Sequence, residues 1–119
     1  MRAIQPVHLH DTGAKVSNLQ KGLLFLILNQ SGISDNDRKT LQRRLAPELR
    51  EQTFGKATED LVGIWQGQLK RRRDLPEELK NKVKTLPIGQ NDQGNGDVDK
   101  VTAEALNWLL RKLGALQPE

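Results

Sequence analysis

The sequence predicts an all-α fold, and three observations carry that expectation. Apolar residues recur at helical spacing in three long stretches, residues that start and stop helices bracket those stretches, and the apolar content is leucine-rich rather than β-branched. At 119 residues the chain falls in the single-domain range, where folding removes roughly two-thirds of the surface exposed by the unfolded chain. With 35% apolar residues, one core is possible and must be built mainly from Leu, Val and Ile. Phe25, Phe54, Trp65 and Trp108 are the only aromatic residues.

Val16, Leu19, Leu23, Leu26 and Ile27 define a first helix from about Lys15 to Leu28. Its second half, residues 23–28, is apolar on all sides and marks it as central, and Asn29-Gln30-Ser31-Gly32 ends it. Ser34 stands three residues before Asp37, the spacing of a capping box with a shorter acid, and opens a second helix carrying Leu41 and Leu45. The Ala46-Pro47 step is expected to end that helix, with Pro47 opening a short further turn at Leu49. This polar region reads as an insertion packed on the outside.

A third helix follows Gly55, with Leu61, Val62, Trp65 and Leu69 on one stripe. A short fourth one after Asp74 carries Pro76, Leu79 and Val83. Residues 85–97 hold Pro87, three glycines and several Asn and Asp residues, and are expected to be a loop with little scope for burial. The last helix begins near Asp99, carries Val101, Ala105, Leu106, Leu109 and Leu113, and stops at Gly114. The organisation is therefore an N-terminal arm over residues 1–12, one domain over 13–114 and a polar tail over 115–119.

A net charge of +4 favours anionic partners in a general way. The absence of cysteine excludes disulfides, thiolate zinc sites and cysteine nucleophiles. No apolar segment of a secretory signal is found in residues 1–8, and the longest apolar run is too short to span a bilayer, so no membrane insertion is expected. Neither an acid and base pair, a Ser, His and Asp arrangement nor a phosphate loop is identifiable, and the expectation is a protein that is not an enzyme.

One local pattern occurs twice, as an internal repeat. Phe54-Gly55-Lys56-Ala57-Thr58 and Val98-Asp99-Lys100-Val101-Thr102 each place an apolar plug before a capping residue and a threonine four positions after the plug. Each is helix-start chemistry: Gly55 or Asp99 acts at the N-cap, and the Thr58 or Thr102 hydroxyl lies in the first turn, within reach of the cap. Taken in order, Val16-x-x-Leu19-Gln20-x-x-Leu23, Phe54-Gly55-x-x-Thr58-x-x-x-Val62-x-x-Trp65-Gln66 and Gly96-Asp97-Val98-Asp99-x-x-Thr102-x-x-x-Leu106 resemble the three helix starts of the peptidoglycan-binding domain family. The resemblance covers roughly residues 13–113, interrupted by insertions over about 34–52 and 75–93.

That resemblance implies a compact three-helix bundle with two additional short helical insertions, no cofactor and no chemistry of its own. It implies a bacterial cell-wall module that recognises peptidoglycan glycan or stem peptide and holds an attached domain or enzyme at the wall. The cell envelope or the extracellular space is where such a module acts. Its groove is expected beside the loops after the first and third helices and residues 95–97, with Gln66, Arg71, Asn95 and Asp97 as candidate ligand contacts. The alternative is a structural or protein-interaction domain of a larger protein that keeps the fold without the ligand.

Other constellations weigh less. Gln20 and Gln66 follow key apolar positions and are read first as partners of loop backbone beside the core. Trp65 and Trp108 lie on apolar stripes and are assigned to the core, with stacking of Trp65 on a sugar ring as the sharper alternative. Lys70-Arg71-Arg72-Arg73 is the one dense basic run; it lacks interleaved aromatics, so nucleic acid is an unlikely partner and a solvated helix end the simpler role. Asn91, Gln93, Asn95, Asp97 and Asp99 alternate around Gly96 as in a calcium loop, but the strong charged ligands at both ends are missing, so no metal is assigned. His8 and His10 are read as decorating the terminal arm.

Overall fold

The computed structural model describes residues 1–89 and 92–116. Among them are five helices: α1 (Ala14–Asn29), α2 (Asp35–Glu51), α3 (Lys56–Arg71), α4 (Glu77–Val83) and α5 (Lys100–Lys112). The described residues form no β-strand, only three isolated bridges, and the all-α expectation is met. A radius of gyration of 13.2 Å matches the value of about 13.5 Å for one domain of this length.

The spacing of α1 buries Val16, Leu19, Leu23, Leu26 and Ile27 completely, against α2 and α3. Its second half is not buried on every side, however: Leu28 is 52% exposed, and Leu24 and Phe25 are half-buried.

The capping box of α2 forms, with Ser34 Oγ accepting from the Asp37 amide at 3.1 Å. The helix then departs from expectation, running through Pro47 to Glu51 for 17 residues, as long as the principal helices. An internal proline removes the bond to the carbonyl four residues back and costs on the order of 3 kcal/mol, so the turn beyond it must be held from outside. The Glu48 side chain lies at the start of α3, and the Thr53 amide donates to the Glu48 carbonyl at 3.0 Å. Gln52 closes the helix in the left-handed region at φ 52°. At the other end Arg38 donates to the carbonyls of Ile27 and Gln30, the latter at 2.7 Å. Thus α2 places a cation at the C-terminus of α1 and a carboxylate at the N-terminus of α3, each on the side that the helix dipole favours. The expected outside insertion is a brace.

Loop 92–97 is also better packed than its composition suggests. It lies flat on α3, where the Gly94 amide donates to the Gly63 carbonyl at 2.8 Å. A β-carbon at Gly67 would stand 1.9 Å from the Asp92 carbonyl oxygen, and one at Gly63 would stand 2.8 Å from that of Gly94. Glycine is required at both positions so that backbone can approach backbone. Gly96 is buried here, and Leu86 just before this loop is 2% exposed.

The N-terminal segment and the last described residues pack on the fold. Ile4 and Val7 belong to the core. Ile4 exchanges hydrogen bonds with the Asn107 side chain at 2.7 and 3.0 Å, and Val7 exchanges two backbone bonds with Val98 at 3.1 Å. Further on, the Phe54 amide donates to the Asp11 carbonyl and the His10 amide to that of Phe54. The N-terminal segment is therefore a strap joining the two plugs, Phe54 and Val98, and not an arm. At the far end Leu116 is buried and bonded back to Leu110, so residues 115–116 belong to the fold and not to the expected tail, of which residues 117–119 lie outside the described residues. No helix among the described residues is long and apolar enough to cross a membrane.

Candidate binding site

Two buried glutamines organise the helix starts. Gln20 on α1 donates through Nε2 to the Thr53 carbonyl at 3.0 Å and to Thr58 Oγ1 at 3.1 Å. Gln66 on α3 donates to the Asp97 carbonyl at 2.8 Å and to Thr102 Oγ1 at 3.0 Å. In each case the carbonyl lies one residue before the plug and the hydroxyl four residues after it. Gln66 Oε1 also accepts from the Gly96 amide at 2.9 Å. With both amide protons engaged, its oxygen bonded to Gly96 and only 1% of the residue exposed, Gln66 is out of a ligand's reach, and the backbone-partner role anticipated for it is the one it fills.

The other candidate contacts lie along the same side of α3. Asn95 Oδ1 accepts from the Asp97 amide at 3.0 Å, shaping the turn. Arg71 reaches the Asp92 carbonyl at 3.2 Å. Asp97 Oδ1 lies 2.5 Å from His8 Nδ1, and that hydrogen bond, with the charge of Asp97, raises the His8 pKa above 6.5. His8 itself sits in a tight turn closed by the Asp11 amide on its carbonyl at 3.0 Å, and His10 adopts φ 76° within it. The four candidates thus mount a loop and a strap on α3. Of the calcium-like pattern, Asn91 lies outside the described residues, and no group of three or more His, Asp or Glu among those described is placed to hold a metal.

One open concavity with an apolar lining lies elsewhere. Between α2 and α3 runs a groove of about 350 Å³, floored by Ile33, Leu41, Leu61, Ile64 and an edge of Trp65, with Asp37, Thr40 and Gln68 at its rim. At 100° per residue, Leu61, Ile64, Trp65 and Gln68 occupy one face of α3, whereas Gly63, Gln66 and Gly67 occupy the opposite one. The groove expected beside the loops after the first and third helices and residues 95–97 is therefore not one groove: Gly32 and Ile33 line a concavity on one face of α3 and the 92–97 loop covers the other. Asp60 on α3 pairs with Arg44 on α2 at 2.7 Å, across the two helices, and with Lys56 on its own helix at 3.0 Å. Burial pushes the Asp60 carboxyl up, but its bonds to Arg44 and Lys56 outweigh this and hold its pKa below the ordinary value.

Trp65 is 2% exposed and has no free face for a sugar ring, as its assignment to the core required. Trp108 departs from its own: it is half-buried, with the Arg72 guanidinium 5.7 Å and the Lys112 ammonium 5.1 Å from its ring centroid. The sequence signal for the groove was Ile64, an apolar residue that widens the buried stripe of α3, facing Leu41 from the helix that looked peripheral.

No family model, no curated protein and no solved structure matches this chain.

Proposed function

We propose that this chain is a non-catalytic binding module of the peptidoglycan-binding kind, which holds wall glycan or stem peptide in the α2–α3 groove and thereby keeps an attached protein or enzyme at the cell wall. The observation that carries this reading is that the residues of the resemblance form a matched pair of clamps, Gln20 with Thr58 and Gln66 with Thr102. On this reading the two clamps are copies of one helix-start unit, and an ordered succession of such units is what the resemblance consists of. The groove supplies suitable chemistry: an apolar floor for a ring face or an acetyl methyl, and a carboxylate, a hydroxyl and an amide at the rim. Thr40 donates its hydroxyl proton to the Asn36 carbonyl at 3.0 Å, which leaves the oxygen to accept from a ligand.

Heteronuclear NMR with soluble muropeptides tests this directly. Saturable shifts are expected at Thr40, Ile64 and Gln68, and Ile64→Arg, which fills the groove, is expected to abolish them. Absence of shifts at millimolar ligand, together with failure to sediment with insoluble peptidoglycan at low salt, overturns the reading.

A second reading, a structural or protein-interaction domain without the wall ligand, is favoured by one observation. All four clamp residues are buried and bonded within the fold, so folding alone accounts for their pattern. The same titration separates the two.

A further inference from the structure

Positive charge is concentrated at one end of the molecule. Residues 70–84 contain seven Lys and Arg against three Asp and Glu, an excess equal to that of the whole chain. Some of these cations are neutralised. Asp74 binds Arg72 at 2.7 and 3.0 Å and also Lys112, which hold its carboxyl far below the usual range. Lys82 pairs with Glu104 at 3.2 Å, and Glu77 and Glu78 complement the start of α4.

The remaining cations are held differently. Lys70 Nζ donates to the Leu86 carbonyl at 2.8 Å and Arg71 to that of Asp92 at 3.2 Å. A neutral carbonyl fixes where a cation sits without cancelling its charge. Arg73 is exposed and has no ion-pair partner among the described residues, and Lys84 is exposed two residues from the carbonyl that Lys70 grips. The dipole of α3 accounts for basic residues in its last turn. It does not account for their bonds reaching backbone carbonyls, while the carboxylates of Asp74 and Glu104 serve Arg72, Lys112 and Lys82.

We propose that Lys70, Arg71, Arg73 and Lys84 form an edge that binds a phosphodiester-linked polyol polymer, the class of polyanion that accompanies peptidoglycan in walls. The choice of polymer rests on the wall-binding reading; the edge itself does not. Nucleic acid fits less well, because single strands need exposed aromatic platforms. Phe54 and Trp65 are buried, and Arg72 and Lys112 lie over the Trp108 ring. A polymer without bases asks only for spaced, unneutralised cations.

The test is fluorescence anisotropy of the full chain with labelled poly(glycerol phosphate), and with single-stranded and duplex DNA of matched length, over a salt series. Binding to the polyol phosphate is expected to weaken with salt at a log–log slope of about −3, the value for four contacts on a flexible polyanion. The triple variant Arg71→Gln, Arg73→Gln, Lys84→Gln is expected to lose at least tenfold in affinity. A control with the same charge change on exposed residues elsewhere, Lys15→Gln, Lys21→Gln, Arg43→Gln, is expected to stay within twofold; circular dichroism verifies that both fold. No binding at low salt, equal losses in the two variants, or tighter binding of DNA overturns the proposal. Muropeptides carry carboxylates but no phosphate, and it is the position of their shifts, at Thr40, Ile64 and Gln68, that reports on the groove. Polymer binding without muropeptide shifts therefore sinks the wall reading of the groove and leaves the edge, and the reverse result sinks the edge alone.

Discussion

The starts of α3 and α5 are assembled from the same parts and held by different means. Both have a buried plug, a threonine in the first turn and a glutamine clamp from the helix two before it. At α5 the cap is local: Asp99 Oδ1 accepts from the Thr102 amide at 2.7 Å. At α3 the cap position is Gly55, which has no side chain, and Glu48 reaches in from α2 instead. Its carboxylate accepts from the amides of Gly55, Ala57 and Thr58 at 3.0, 2.9 and 2.8 Å and from the Thr58 hydroxyl at 2.7 Å. The clamps differ in a complementary way. Gln66 is fully satisfied, whereas Gln20 Oε1 is buried without a partner among the described residues. One helix start is capped by its own residue, and the other by a separate helix.

The sharpest way to break this comparison is to remove both caps. Glu48→Ala leaves three amides and a hydroxyl without their acceptor and is expected to cost about 3 kcal/mol, since bonds to charged groups exceed neutral ones and unmet buried donors add to the loss. Asp99→Ala removes an ordinary N-cap and is expected to cost about 1 kcal/mol. Urea unfolding of the two variants decides it. Equal costs would mean that α2 is an appendage after all.

The clamps give a smaller contrast. Gln66→Leu strands the Gly96 amide and the Asp97 carbonyl and is expected to destabilise by about 2 kcal/mol. Gln20→Leu loses two donations but also removes an unsatisfied oxygen, so about 1 kcal/mol is expected. The reverse order would show that Gln20 Oε1 has a partner in solution, such as an ordered water.

What the sequence discloses follows the same division between local and distant devices. The stripes of α1, α3 and α5 and the caps Ser34 and Asp99 were legible because each signal lies within one or two turns of what it governs. Glu48 was not, since a glutamate on a polar helix carries no mark of the helix start it serves several residues later. Pro47 misled for the same reason: its local preference to end α2 is overridden by contacts that its neighbours make with α3. Ile4, Val7 and Asn107 had no periodicity to betray them, and the pairing of Ile4 with Asn107 spans over a hundred residues. Of the candidate site, Gln66, Arg71, Asn95 and Asp97 were named together as ligand contacts, but the bond of Gln66 to Asp97 and its role in mounting a loop became evident only from the structure. The groove needed α2 in place.

Acid should separate the two helix starts more gently than mutation. Burial pushes the Glu48 carboxyl up, but the hydrogen bonds from Thr58, Ala57 and Gly55 together outweigh it and hold its pKa below 4.5. A carboxyl depressed in the folded state stabilises above its unfolded pKa, and that contribution is lost as pH falls through the folded value. The unfolding midpoint is therefore expected to decline below about pH 4.5, and Glu48→Gln is expected to flatten the decline. An unchanged acid limb in that variant would show that other carboxylates dominate it.

The smallest effect concerns the strap that joins the two starts. His8 is raised above 6.5 by its bond to Asp97 and the charge of that carboxylate, with Asp11 adding to it. A base raised on folding stabilises below its unfolded pKa, and the contribution disappears as pH climbs through the folded value. Because both partners are solvated, the change in stability is expected to be slight, and the ring itself is the better reporter. In an NMR pH titration His8 is expected to titrate above 6.5 in the native chain and to fall toward that value in Asp97→Asn. If it does not move, Asp11 and not Asp97 holds the strap, and the turn is closed by its own residues without help from the loop before α5.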